Sequence, residues 1–302
     1  MAKRDYHKPA LTVEQQLIRL KERGLSIEHE SKAVHILQNI SYFRLSGYWY
    51  PLLQEPKTDH RFKDGASFEQ AFKLYCFDRE LRFLITGELE KIEIAIRTQL
   101  IYQMSHYKGA YWFQDESLFR NRNKLDNTLD KMRHEYAKSD ELFISSFNDN
   151  YSNELPPSWM LLEVVTFGKL SNLYSNLNPG KSKRKIARYF GLDDRILTSW
   201  LHSFNYIRNI CAHHARFWNK TLGISPKVPF RPSNQFLTLK DHQRWRNDKP
   251  AFGLSMILYF LNTINPNHTF KQRFNSLLEK YPDVDASALG FPTDWKNQEL
   301  WK

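Results

Sequence analysis

Along most of this chain the apolar residues return every third or fourth position, the spacing of helices with one buried face. The longest such run opens at Phe68 and reaches about residue 104. Within it Phe72, Tyr75, Leu81, Leu84, Ile85, Leu89, Ile92 and Ile96 fall on a single stripe. Ser67 and Gln70 form a capping-box pattern at its start, as Thr12 and Gln15 do for an earlier helix that runs to Arg23 and stops at Gly24. Shorter helices are predicted over residues 26–38, 125–138, 251–264 and 270–281. Ser158, after the break at Pro156 and Pro157, is read as the N-cap of a helix over 159–177. Asp193 is read as the N-cap of a helix over 194–217. Residues 41–53 fit either a helix broken at Gly47 or a packed loop.

No strand–glycine loop–helix unit interrupts this pattern, so the expected fold is all-α, with about eight to ten helices. The expected organisation is an N-terminal helical segment over 1–66 packed on a helical core over 67–220. A proline-punctuated strap and C-terminal helices over 221–302 complete one compact unit. Whether residues 220–250 are an ordered excursion or a flexible strap is open in the sequence.

Composition adds a core and a charge. With 21 Phe, 15 Tyr and 8 Trp in 302 residues, the chain has ample bulky material to bury. Its formal net charge of +11 points to a polyanionic partner, nucleic acid or an anionic membrane surface. No apolar run approaches the ~18 residues of a spanning helix, and no basic amphipathic helix with a clear apolar face favours the membrane. Two cysteines build no disulfide framework, and the first twelve residues lack a signal-peptide core, so a cytoplasmic protein is expected.

The segment Arg208-Asn209-Ile210-Cys211-Ala212-His213-His214 carries the candidate chemistry. On a helix, His202, Asn205, Asn209, His213 and Arg216 draw a polar stripe beside the apolar Leu201, Phe204, Ile207 and Cys211. A neutral imidazole can take the proton of a ribose 2′-hydroxyl, a guanidinium suits phosphate oxygens, and an amide can orient either group. The arginine–histidine spacing alone is unspecific, since it recurs at Arg23…His29 and Arg195…His202. An exposed polar helix face ending in two histidines is the plain alternative.

The same segment, 208–219, resembles the motif of the HEPN ribonucleases of the AbiD/AbiF-type abortive-infection family. So do residues 8–25, 42–52, 77–100 and 158–174, in that order along the chain. The C-terminal eighty or so residues carry no such block. The resemblance implies an all-helical, metal-independent endoribonuclease without a cofactor, active against phage. It would leave 2′,3′-cyclic phosphate ends, with Arg208, Asn209 and His213 as the catalytic set. It also implies a homodimer with one motif from each copy, and association with a small structured RNA. A non-catalytic protein that holds such an RNA is the second reading.

Around the motif, Lys181, Lys183, Arg184, Lys185 and Arg188 form the densest basic cluster, and with Arg216 they are candidate RNA contacts. A solvated helix face explains the cluster equally well. Asn205, His214, Glu93 and Arg97 are candidate supports for the site. Glu93 and Arg97 stand four apart and also fit an isolated surface pair. Tyr48, Trp49 and Tyr50 could stack on bases, but a buried aromatic cluster accounts for them better. Cys211, His213 and His214 lack the further ligands a zinc site needs.

Overall fold

The computed structural model describes residues 5, 7–237 and 244–302. Among these residues there are twelve α-helices and no β-strand, so the fold is all-α. Two compact units share the chain, and their boundary falls inside one long helix, at Leu81/Arg82, rather than at residues 66 or 220.

The first unit comprises Met1–Leu81 with Lys280–Val284. It holds α1 (Val13–Glu22), α2 (Glu30–Ile40), α3 (Tyr42–Trp49) and the start of α4 (Phe68–Lys108). Both capping boxes form: Thr12 Oγ1 accepts the Gln15 amide at 3.2 Å, and Ser67 Oγ accepts that of Gln70 at 3.1 Å. Helix α3 runs through Gly47 unbroken and tightens into a 3-10 turn over Tyr50–Leu52. Tyr48 and Trp49 are buried, and the Tyr48 hydroxyl donates to Asp78 Oδ2 at 2.7 Å, so two of these three aromatics belong to the core.

The second unit comprises Arg82–Glu279 with Asp285–Lys302. It takes the rest of α4, then α5 (Arg122–Ala137), α6 (Leu142–Asn150), α7 (Ser158–Leu161), α8 (Phe167–Asn176) and α9 (Lys181–Tyr189). Helices α10 (Asp194–Ala212), α11 (Pro250–Ile264) and α12 (Phe270–Lys280) follow. The helix expected over 159–177 is two helices, because Val164, Val165 and Thr166 are a β-branched run that disfavours helix at its centre. Ser158 is the first helical residue rather than the cap, and its hydroxyl shares a 2.8 Å hydrogen bond with Ser105.

Helix α10 is central to this unit and packs on α8, α9 and α11. Trp200 stands edge-on to Tyr259 of α11 at 5.4 Å, and Phe204 to Phe260 at 5.1 Å. Close approach depends on Gly253, where an added methyl would lie 2.8 Å from Ile207 Cδ1. The described part of residues 220–250 is pinned to these helices. Trp200 Nε1 donates to the Lys227 carbonyl at 2.8 Å, Ser233 N to that of Gly191 at 2.8 Å, and Leu222 N to that of Asp248 at 2.7 Å. Residues 238–243 of that segment lie outside the described residues.

Candidate active site

The rotation of α10 is fixed by what it buries. Leu197, Trp200, Leu201, Phe204, Ile207, Ile210 and Cys211 are buried, which turns Asn205, Arg208 and Asn209 to a partly exposed face. Its start is fixed by Asp193, whose Oδ1 accepts from Arg195 N at 2.8 Å and Ile196 N at 2.9 Å.

The end of α10 differs from the sequence expectation, and the difference shapes the site. The helix stops at Ala212, with His213 as its exposed C-cap and His214 in the left-handed region at φ +55°. Ala215 N donates to Ile210 O at 3.0 Å and His214 N to Cys211 O at 3.1 Å, the paired bonds of a Schellman turn. Glycine usually holds that position, and a residue with a Cβ there costs about 1 kcal/mol. The polar stripe therefore ends at His213. Arg216 lies beyond the turn, half-buried and off the helix.

Arg208 faces charges from α4. Arg97 donates to Glu93 Oε1 at 2.9 Å, to Glu163 Oε2 at 3.3 Å and to the Val165 carbonyl at 3.2 Å. That guanidinium ties α4 to the break between α7 and α8 and holds Glu93 in place. Burial pushes the Glu93 carboxyl above its ordinary value, while Arg97 and then Arg208 pull it down. Glu93 and Arg97 are thus part of a charge cluster that includes Arg208, not an isolated surface pair. Glu163 completes the cluster and had no sequence signal, since it stands 66 residues from Arg97. Asn205 packs against α8, where a methyl on Gly168 would come within 3.4 Å of its Oδ1.

The basic cluster lies on α9, which packs against α10. Lys181, Arg184, Lys185 and Arg188 are exposed. Lys183 is not: it is 3% exposed, and its ammonium donates to the Leu177 carbonyl at 2.9 Å and the Ser175 carbonyl at 3.2 Å. It caps the end of α8 from below and is withdrawn from any RNA-contacting face. Among the described residues no group of three or more His, Cys, Asp and Glu could hold a metal ion, and no helix is long and apolar enough to cross a membrane.

The sequence model of a family described as Abi-like protein matches residues 35–219, a span that takes in α4, the charge cluster and the whole of α10. No curated protein and no solved structure matches the chain.

Proposed function

Because this chain belongs to the Abi-like protein family, whose description points to abortive infection, we propose that it defends against phage as an endoribonuclease of the HEPN type and AbiD/AbiF subtype. The observation that carries this reading is the end of α10. There an exposed His213 sits on the helix cap, its amide bonded to Asn209 O at 3.0 Å, one turn from an Arg208 whose charge acts on the Glu93 carboxyl of α4.

The chemistry follows from those three groups. The His213 imidazole takes the proton of a 2′-hydroxyl, and that oxygen bonds to the adjacent phosphorus. The bond from phosphorus to the 5′-oxygen breaks, leaving a 2′,3′-cyclic phosphate and a 5′-hydroxyl. Arg208 stabilises the charge of the crowded phosphorane, and Asn209 orients the phosphate. The 5′-oxygen needs a proton as it leaves, which one chain with one motif does not supply. His213 of the partner subunit gives it, so the working enzyme is a homodimer.

A surface for that partner is at hand in the second unit. Phe83 and Ile94 lie eleven residues apart on one face of α4, exposed at 70% and 51%, and Glu93 and Arg97 flank that face. The exposed cations of α9 suit an RNA strand, including a small structured RNA bound as a cognate partner.

The test is cleavage of single-stranded RNA by the purified protein in EDTA, with the ends identified by mass spectrometry. Cyclic-phosphate ends that vanish with His213→Ala support the nuclease. A folded dimer that binds RNA and never cuts it supports instead a protein that holds RNA as regulator or scaffold.

A further inference from the structure

A cleft of 330 Å³ opens in the second unit where α5, α8 and α10 meet the segment after α10. Lys124, Ser175, Arg195, Ser199, His202 and Lys227 line it. Three of these are cations, none of them has a carboxylate within ion-pair distance among the described residues, and no acidic side chain lines the cleft. Its walls are fixed. The Lys124 ammonium donates to Ser175 Oγ at 2.7 Å. The backbone of Lys227 is clamped at both ends, its N–H to Ser199 Oγ at 2.8 Å and its carbonyl from Trp200 Nε1 at 2.8 Å. Burial lowers the pKa of Lys124, so an ammonium held there gains from an anion that replaces lost water.

The position of the cleft on α10 gives its ligand a direction. Arg195, Ser199 and His202 stand at four- and three-residue steps, and the same stripe continues through Asn205 and Asn209 to His213. His202 and His213 are eleven residues apart, about 16 Å along the helix axis. A strand lying along this stripe with one phosphate in the cleft would bring a linkage a few nucleotides away to the end of the helix.

We propose that this cleft binds a backbone phosphate of single-stranded RNA and sets the distance from that anchor to the cut at His213. The anchoring role rests on the ribonuclease reading only for its position relative to the cut; the binding itself does not. A phosphate held away from the reacting atoms contributes equally to ground state and transition state. Its loss therefore raises KM and leaves kcat in place.

The experiment uses the full chain and a fluorescent single-stranded 2′-O-methyl RNA, which binds without being cut. Anisotropy titrations compare wild type with the double variant Arg195→Gln/Lys227→Gln and with an equal-charge control, Lys8→Gln/Lys296→Gln. The expected result is an affinity loss of about tenfold or more in the cleft variant only, with a salt dependence shallower by about one for each phosphate no longer held. All of these side chains are exposed, and circular dichroism checks that the variants fold. Equal affinities for the cleft and control variants would overturn the proposal, as would a wild type that binds no RNA. A cleft that loses binding of AMP but not of the oligonucleotide would also overturn it, because the ligand would then be a free nucleotide. Cleavage of unmodified RNA is scored separately. A wild type that binds through the cleft and does not cut removes the nuclease reading and leaves the anchor standing.

Discussion

The amide N–H of His213 donates to the carbonyl of Asn209 at 3.0 Å, the last four-residue bond of α10. Two of the three motif residues are therefore joined through the backbone, and their side chains are free to act without holding the helix together. His213→Ala should leave the far-ultraviolet spectrum and RNA affinity near wild type. It should slow single-turnover cleavage by about 10²–10⁴-fold, the range of a lost general acid or base. Arg208→Lys should rescue little of the loss seen in Arg208→Ala, since an ammonium lacks the two-pronged fork of a guanidinium. Rapid cleavage by His213→Ala would remove this residue from the chemistry.

Glu93 should act on the reaction through Arg208. Its carboxyl is raised by burial, while the charges of Arg97 and then Arg208 pull it down, so Glu93→Gln removes the negative charge that Arg208 feels without emptying the space. Cleavage should slow by roughly tenfold or more, as a small misplacement of a phosphate-binding group does. The loss should fall on kcat, with oligonucleotide affinity unchanged. An unaltered kcat would make Glu93 a purely structural partner of Arg97.

The partner subunit should dock on the exposed face of α4. Ile94→Glu puts a charge at a position 51% exposed in one chain, where a folded monomer tolerates it. The variant should keep its melting temperature at low concentration, sediment as a monomer and lose cleavage. A dimer that persists in Ile94→Glu and Phe83→Glu would place the interface elsewhere.

Much of this architecture is legible because local physics fixes it. The capping boxes at Thr12 and Ser67 and the cap at Asp193 are written in neighbouring residues and form as read. Of the α4 stripe, Leu81, Ile85, Leu89, Ile92 and Ile96 are buried, while Phe72, Tyr75 and Leu84 are only half-buried. The features that escape a reading of the sequence depend on partners far along the chain. Nothing local signals that α10 ends at Ala212, because histidine rather than glycine takes the left-handed position after the cap. Helix α6 gives no periodic signal because its nine residues bury only Ile144 and Phe147. The burial of Lys183 is hidden among exposed cations, since only the fold brings the carbonyls of Ser175 and Leu177 to it.

Gly191 should be the least replaceable glycine near α10. It closes α9 in a Schellman turn at φ +69°, and an added Cβ would stand 2.7 Å from the Tyr259 hydroxyl. That hydroxyl donates to the Gly191 carbonyl at 3.0 Å, and burial pushes its pKa up to about 12. Gly191→Ala should therefore lower stability by about 1–3 kcal/mol through strain and a displaced hydrogen bond. Gly180→Ala, at extended backbone with its nearest neighbour 3.9 Å from the new Cβ, meets no clash and should cost less, at most about 1 kcal/mol for a poorer N-cap of α9. Denaturant melts of the two variants make the comparison, and equal midpoints would refute it.

Lys183 should reveal its burial through pH. Burial lowers its pKa to about 8, and the nearby Arg120 cation pushes the same way, whereas the unfolded chain titrates near the ordinary 10.5. Between those values the unfolded state carries the proton and the folded state does not, so stability rises with pH across that window. Below about 8 both states are protonated and the contribution is flat at its lowest. The difference in unfolding free energy between wild type and Lys183→Met cancels other groups that titrate there. It should climb in favour of wild type by roughly 2–3 kcal/mol from pH 8 to 10.5. RNA affinity of the variant should match wild type, because the ammonium is spent on the end of α8. A flat difference curve, joined to weakened RNA binding, would put this lysine on the outer face of α9 with Arg184 and Arg188.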